Sequence, residues 1–164
     1  MTEYRTCPNC RDEVTLDSDF CPHCGLLFEE SKDVYCDTHQ QDTATGVCII
    51  CRKVVCPRCS TKRAGRTFCP DHARVEVSQD WAMVFKSTEI NDAELVKSLL
   101  QSARHKVLVQ NFNSVGYAWD GGGDSPQSRS NLGRPAKVFV PIPEYEDALR
   151  VIGDWHASTV STEE

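Results

Sequence analysis

Ten cysteines and two of the five histidines in this chain fall into six pairs, each with two residues between its members: Cys7/Cys10, Cys21/Cys24, Cys36/His39, Cys48/Cys51, Cys56/Cys59 and Cys69/His72. Thiolate and imidazole are ligands of zinc, and a structural zinc ion takes four of them in a tetrahedron. No cysteine is left over, so twelve ligands divide into three closed sites and three zinc ions per chain. The spacing has a mechanical cause: a tight turn between two ligands lets both reach one ion. The chemistry implied is structural. A catalytic zinc keeps a coordination position for water, whereas each set here is full, and the chain offers no nucleophile–base pair elsewhere. The expectation is a protein that is not an enzyme.

Disulfides are the rival reading of ten cysteines. The uniform spacing, the histidines standing in for cysteine and a start (Met-Thr-Glu-Tyr-Arg-Thr-Cys) without an apolar stretch oppose it. No segment is long enough to span a membrane. A reducing, cytoplasmic setting is expected.

These ligands must be positioned by very little protein. All of them lie between Cys7 and His72, and residues 80–155 contain no cysteine, which puts a domain boundary in the seventies. A module of roughly 25 to 40 residues buries too little apolar surface to offset its chain entropy, so metal supplies the missing stability. The organisation expected is a zinc ribbon at 1–30, a double-zinc module at 33–76, an α+β domain at 80–156 and a disordered tail at 157–164.

Charge narrows the partners. The formal charge is −6; ten thiolates add ten negative charges and three zinc ions six positive, giving −10 in the loaded protein. General nucleic-acid binders are basic, so nucleic acid is disfavoured and a protein partner favoured. One stretch runs against the trend. Residues 52–74 hold Arg52, Lys53, Arg58, Lys62, Arg63, Arg66 and Arg74 against a single acid, Asp71. They either compensate the anionic thiolate sites or form a patch for phosphate or an acidic partner, and the first reading is preferred.

In the first module, Cys7-Pro8-Asn9-Cys10 and Cys21-Pro22-His23-Cys24-Gly25 are near-copies of one knuckle. Proline fixes a backbone angle after the first ligand, and Gly25 can take a positive φ after the second. Arg11 stands where Gly25 sits in the other copy. His23 lies between two ligands and is expected to be a bystander. The stretch resembles the small zinc ribbons found in many proteins.

The second module reads Cys36-x2-His39-x8-Cys48-x2-Cys51-x4-Cys56-x2-Cys59-x9-Cys69-x2-His72. Four pairs can be grouped two by two in three ways, and spacing does not choose among them. Val34-Tyr35, Val54-Val55 and Thr67-Phe68 read as short strands packing between the metals. The ligand order resembles the B-box zinc finger, departing from it at Cys69, where that family usually has histidine. The resemblance implies interleaved sites, one of Cys36, His39, Cys56 and Cys59 and the other of Cys48, Cys51, Cys69 and His72. It also implies protein–protein contact. The companions of B-boxes in tripartite-motif ubiquitin ligases, a RING and a coiled coil, are missing from the sequence.

The C-terminal half follows ordinary periodicity. Strands are expected at Ala82-Met83-Val84-Phe85-Lys86, Val107-Leu108-Val109 and Lys137-Val138-Phe139-Val140, with a weaker one around Tyr117-Ala118-Trp119. A helix capped by Asn91, with Glu94 as capping-box partner, should bury Leu95, Val96, Leu99, Leu100 and Ala103. A second helix, opened by Pro143, should bury Tyr145, Ala148, Leu149 and Ile152. His105 and His156 are expected to be solvated or capping. Residues 116–135 are rich in glycine and serine and read as a mobile loop, either a plain insertion or one that gates a ligand or docks a partner. The glycine run lacks the Lys-Ser/Thr of a P-loop.

Val84-Phe85-Lys86-Ser87 leading into Ala93-Glu94-Leu95-Val96-Lys97-Ser98-Leu99-Leu100, and Val138-Phe139-Val140-Pro141 leading into Tyr145-Glu146-Asp147-Ala148-Leu149, resemble a family of prokaryotic signal-transducing domains of unknown function. That resemblance implies a ferredoxin-like (GlnB-like) α+β fold and a signalling role, with a small-molecule ligand conceivable but no catalytic residues to carry over. The whole reads as zinc modules followed by this domain: a zinc-binding adaptor or signalling protein, with nucleic-acid regulation through the ribbon and the 52–74 stretch as the alternative.

Overall fold

The structure is a computed structural model that describes residues 2–28, 33–111 and 134–160. The chain divides into two units, Met1–Val75 and Glu76–Glu164, and each has its own interior.

In the first unit every strand is two or three residues long and exists to hold a ligand turn. β1 (Tyr4–Thr6) and β2 (Glu13–Thr15) pair antiparallel, with Arg5 opposite Val14, and flank the first knuckle. A single bridge between Phe20 and Leu27 flanks the second, and another between Tyr35 and Thr43 flanks the Cys36/His39 turn. β3 (Gly46–Val47) and β4 (Val54–Val55) enclose Cys48 and Cys51. β5 (Thr61–Arg63) and β6 (Arg66–Phe68) form a hairpin whose two turn residues, Ala64 and Gly65, have φ of 50° and 74°. Positive φ at both central residues is the turn geometry that matches strand twist. Val14 and Phe28 pack with Cys7, Cys21 and Cys24, while Val47, Ile49, Val55 and Phe68 are buried with the other ligands. Val54-Val55 and Thr67-Phe68 thus lie in strands, with Val55, Thr67 and Phe68 inside. Tyr35 differs from expectation: it forms only a single bridge, to Thr43, and the residue is 54% exposed.

The ribbon and the double-zinc module are parts of one unit. Leu26 forms a bridge with Gly46, Val47 N donates to Gly25 O at 2.8 Å, and Thr67 N donates to Cys24 O at 2.9 Å. Asn9 Nδ2 donates to Gly65 O at 2.9 Å and Arg52 Nη1 to Pro22 O at 3.1 Å. A Cβ on Gly25 would lie 2.0 Å from Val47 O, and one on Gly46 would lie 2.9 Å from Thr67 Cγ2. Only glycine allows this approach of two backbones.

The second unit is a four-stranded antiparallel sheet with two helices. It comprises β7 (Val77–Ser78), β8 (Trp81–Ser87), α1 (Ile90–Ser102), β9 (Leu108–Gln110), β10 (Ala136–Pro141) and α2 (Tyr145–Val160). The sheet order is β7-β8-β10-β9, with Val138 opposite both Phe85 and Val109. β10 lies between β8 and β9, which therefore run parallel to each other and are joined by α1. Both helices pack on β8, on β10 and on each other. The core holds Ala82, Ala93, Val96, Leu100, Val138, Phe139, Val140, Ala148 and Ile152. No helix among the described residues is long and apolar enough to cross a membrane.

Several expectations need correction. α1 starts at Ile90 with Glu89 as its cap, not at Asn91, because the Ser87 hydroxyl accepts the Glu89 N–H at 3.0 Å and turns the chain earlier. Glu94 pairs with Lys97 instead of closing a capping box. The buried positions are Ala93, Val96 and Leu100, spaced three and four apart, which leaves Leu95 48% exposed and Ala103 outside. Leu149 is likewise exposed, beside buried Tyr145, Ala148 and Ile152. A 3₁₀ turn at Ile142–Glu144 contains Pro143, and α2 follows it and reaches Val160, four residues into the stretch expected to be disordered. The second unit begins at Glu76 because β7 pairs with β8. The strand expected around Tyr117-Ala118-Trp119 and most of the 116–135 loop lie outside the described residues.

Candidate metal centre

The ligand atoms gather into three sets of four: Cys7, Cys10, Cys21 and Cys24; Cys36, His39, Cys56 and Cys59; Cys48, Cys51, Cys69 and His72. Within each set all atoms lie within 4.8 Å of one another. The grouping joins first pair with third and second with fourth in the double module, so its two sites interleave.

The separations identify the chemistry. Cys7 and Cys24 sulfurs are 3.7 Å apart, Cys10 and Cys21 3.5 Å, Cys36 and Cys59 3.4 Å, Cys51 and Cys69 3.7 Å. A disulfide would need about 2.05 Å. With zinc–sulfur bonds of about 2.3 Å, the edge of a tetrahedron is about 3.8 Å. His39 Nδ1 lies 3.8 Å from Cys36 Sγ and 3.4 Å from Cys56 Sγ, and His72 Nδ1 lies 3.3 Å from Cys69 Sγ and 3.8 Å from Cys48 Sγ. A sulfur–nitrogen edge around zinc is about 3.6 Å. Both histidines thus present Nδ1 to their sites. All ten cysteines are free thiols, and the donor sets fit three zinc ions per chain.

Local turns aim the ligands. Arg11 N donates to Cys7 O, Gly25 N to Cys21 O and Arg52 N to Cys48 O, at 2.8–3.0 Å. The residue that follows each of these knuckles is left-handed: φ is 68° at Arg11, 79° at Gly25 and 64° at Arg52. Sequence reasoning marked this role for Gly25 alone. Arginine carries a Cβ penalty there that the four-ligand closure overrides.

The turns also prepare charge. At Cys36 burial, the largest single effect, opposes ionisation, but the amides of His39 and Thr38 and the neighbouring Cys59 and His39 side chains outweigh it and bring the thiol down to about 6. At Cys7 burial is again outweighed, by the amides of Cys10 and Asn9, and the thiol falls to about 7. Cys48 is lowered in the same way, against its burial, by the amides of Cys51, Cys69 and Ile50. Their partners move the other way. Burial first, then neighbouring thiols, push Cys59 to about 11 and Cys51 to about 12; burial likewise lifts Cys21 to about 11 and raises Cys10 further still. Cys7, Cys36 and Cys48, the first ligands of their sets, are thus favoured to ionise, whereas Cys10, Cys21, Cys51, Cys59 and Cys69 hold protons until metal displaces them.

The cations of 52–74 are largely occupied. Lys53 pairs with Asp71 at 3.4 Å and Arg58 with Asp42 at 3.1 Å. Arg63 donates to Ala73 O at 2.9 Å and to Val75 O, and sits over the Phe68 ring. Arg52 binds Pro22 O and faces Phe20. Their partners are carbonyls, carboxylates and rings. These cations fasten loops, a role the sequence suggested only as general charge compensation. Lys62 and Arg74 are exposed. His23, outside the ligand sets, borders a cleft beside the first site.

In the second unit His105 is neither solvated nor merely a cap. Its side chain is 7% exposed, with Nδ1 3.0 Å from Glu144 Oε2 and Nε2 3.3 Å from Asp147 Oδ2 in poor hydrogen-bond alignment. Glu144 also accepts Lys106 N at 3.1 Å. The end of α1 is thereby pinned to the start of α2.

Residues 5–30 match the uncharacterised protein family UPF0547, a stretch that is the ribbon with its two knuckles. No curated protein and no solved structure matches the chain.

Proposed function

We propose that this chain is a zinc-stabilised, non-enzymatic adaptor or signalling protein that acts through protein–protein contact. The observation that carries the reading is the completeness of the metal sites. Each has four protein ligands, so no coordination position remains for a substrate or an activated water. The occupied cations and the negative charge of the loaded chain speak for a protein partner over nucleic acid.

Two finer readings support the same function. The B-box-like character of 33–76 draws support from ligand order and from the interleaved grouping. The ferredoxin-like (GlnB-like) reading of the second unit draws support from β10 lying between β8 and β9, with two helices packed on those strands. It would make that unit a second interaction or sensing surface.

The test is recovery of partners with the zinc-loaded full chain and with a chelated sample, alongside DNA and RNA titrations at rising salt. Protein partners lost on chelation support the adaptor. Tight nucleic-acid binding that falls steeply with salt would overturn it.

A further inference from the structure

A cleft of about 320 Å³ opens beside the four-cysteine site, between Asn9, Cys10 and Asp12 of the ribbon and Gly65 and Arg66 of the β5–β6 hairpin. Its two walls are tied together, because Asn9 Nδ2 donates to Gly65 O at 2.9 Å. The Arg66 guanidinium has no partner among the described residues, and its Nη1 is closed off from water as well. A guanidinium cannot shed its charge, so it stays unsatisfied until an acceptor reaches it.

The charge of the cleft decides which acceptor that is. Zinc held by four thiolates carries two net negative charges, and Asp12 adds another. Arg66 is the only arginine or lysine in the lining, so the cleft stays negative. A phosphate or carboxylate ligand would meet that excess. A main-chain carbonyl satisfies the guanidinium without adding charge, and a cationic side chain beside it is drawn to Asp12 and the thiolates. Three other arginines of the unit already make the first of these contacts: Arg52 donates to Pro22 O at 3.1 Å, Arg63 to Ala73 O at 2.9 Å and Arg5 to Ser18 O.

Resting on the adaptor reading above, we propose that this cleft docks a basic peptide segment of a protein partner. Arg66 donates to a main-chain carbonyl of that segment, while a lysine or arginine beside the carbonyl is held by Asp12 and the negative metal centre. At about 320 Å³ the cleft stands at the small end of ligand pockets, roughly 300–1,000 Å³, and takes one or two residues. The loaded ribbon thereby supplies charge as well as shape to the contact.

The test titrates the zinc-loaded full chain with acetyl-glycyl-lysyl-glycinamide and follows backbone amide and arginine Nε signals by NMR. Saturable shifts are expected at Asp12, Gly65 and Arg66, and they should weaken as salt is raised. The same peptide with glutamate in place of lysine, and inorganic phosphate, should bind about tenfold more weakly or worse. Arg66→Met keeps the length of the side chain and loses its donors, so it should weaken the lysine peptide by about tenfold. Asp12→Asn should weaken it by about threefold. Asp12 is exposed, so Asp12→Asn judges the site even where Arg66→Met does not fold. No saturable shift from the lysine peptide, tighter binding of phosphate or of the glutamate peptide, or unchanged affinity in Asp12→Asn overturns the proposal. The adaptor reading fails separately, where the full chain recovers no protein partner. Partners recovered equally by native and Asp12→Asn protein would leave that reading standing and sink the cleft.

Discussion

Val47 N donates to Gly25 O at 2.8 Å, a main-chain bond between the residue after one site's last ligand and the residue before another site's first. It sits where a Cβ on Gly25 would meet Val47 O at 2.0 Å. The first unit is therefore a chain of linked metal sites: the first joined to the third by backbone contact, the third to the second by shared loops.

Chelation should unfold that unit as one body. The second unit has its own buried core, free of cysteine, so its helical circular-dichroism signal should survive removal of all three metals. Structural zinc contributes on the order of 10 kcal/mol per site in finger peptides, far more than so small a core supplies. Loss of the helical signal together with the metal would contradict the division at Val75.

The two left-handed arginines that follow knuckles, Arg11 and Arg52, should behave differently. Arg11→Gly removes a Cβ penalty on an exposed side chain and should raise the stability of the loaded unit by about 1 kcal/mol. Arg52→Gly gains the same relief but loses the bond to Pro22 O, so its net effect should be near zero or destabilising. Denaturant melts of the zinc-loaded proteins decide; an Arg11→Gly protein less stable than the native one would refute the strain assignment.

Metal retention should weaken as pH falls. Cys36 and Cys7 ionise below the ordinary thiol value of 9.0, so their favourable contribution is complete above that value and is lost as pH drops through about 6 to 7. Cys21, Cys51 and Cys59, raised to about 11–12, hold protons at neutral pH and must release them on metal capture. Calorimetry in buffers of different ionisation enthalpy should record more than one proton released per zinc. Buffer-independent heats would sink this account.

His105→Ala should destabilise the second unit by about 1–3 kcal/mol, since it strips the buried partner of Glu144 at the junction of α1 and α2. Zinc content should stay at three. A melting temperature unchanged from the native chain would mean that the Lys106 amide alone holds Glu144.

The ligands were legible because their information is local: two residues of spacing encode a turn, and Cys7 to His72 can be read without tertiary structure. Their grouping was not, since Cys36/His39 meets Cys56/Cys59 only once the loops fold. Docking of the ribbon uses the main chains of Gly25, Gly46 and Thr67, and even the side chains of Asn9 and Arg52 meet carbonyls, so no side-chain pairing is left to read. Both helices are legible from periodicity, while their starts and part of their inner faces are not. Ala93 is buried and Leu95 is not, because hydrophobicity favours the larger residue but geometry favours the one facing β8 and β10. The place of His105 is not legible for a related reason: its carboxylate partners lie about forty residues downstream.

The interleaved ligand sets also impose a timetable on synthesis. Read from the N-terminus, the first set is complete at Cys24, the second at Cys59 and the third only at His72. Domains made on the ribosome fold from the N-terminus as they emerge. The earliest metal to bind must wait some forty residues for β6 to reach it. A nascent chain halted between Cys59 and Cys69 would carry two metals and, with Cys48 and Cys51, one exposed pair of thiols. Earlier, between Cys51 and Cys56, a halted chain would carry one metal and three thiols without an ion, Cys36, Cys48 and Cys51, and there the protein is more open still to oxidation or to capture of the wrong ion.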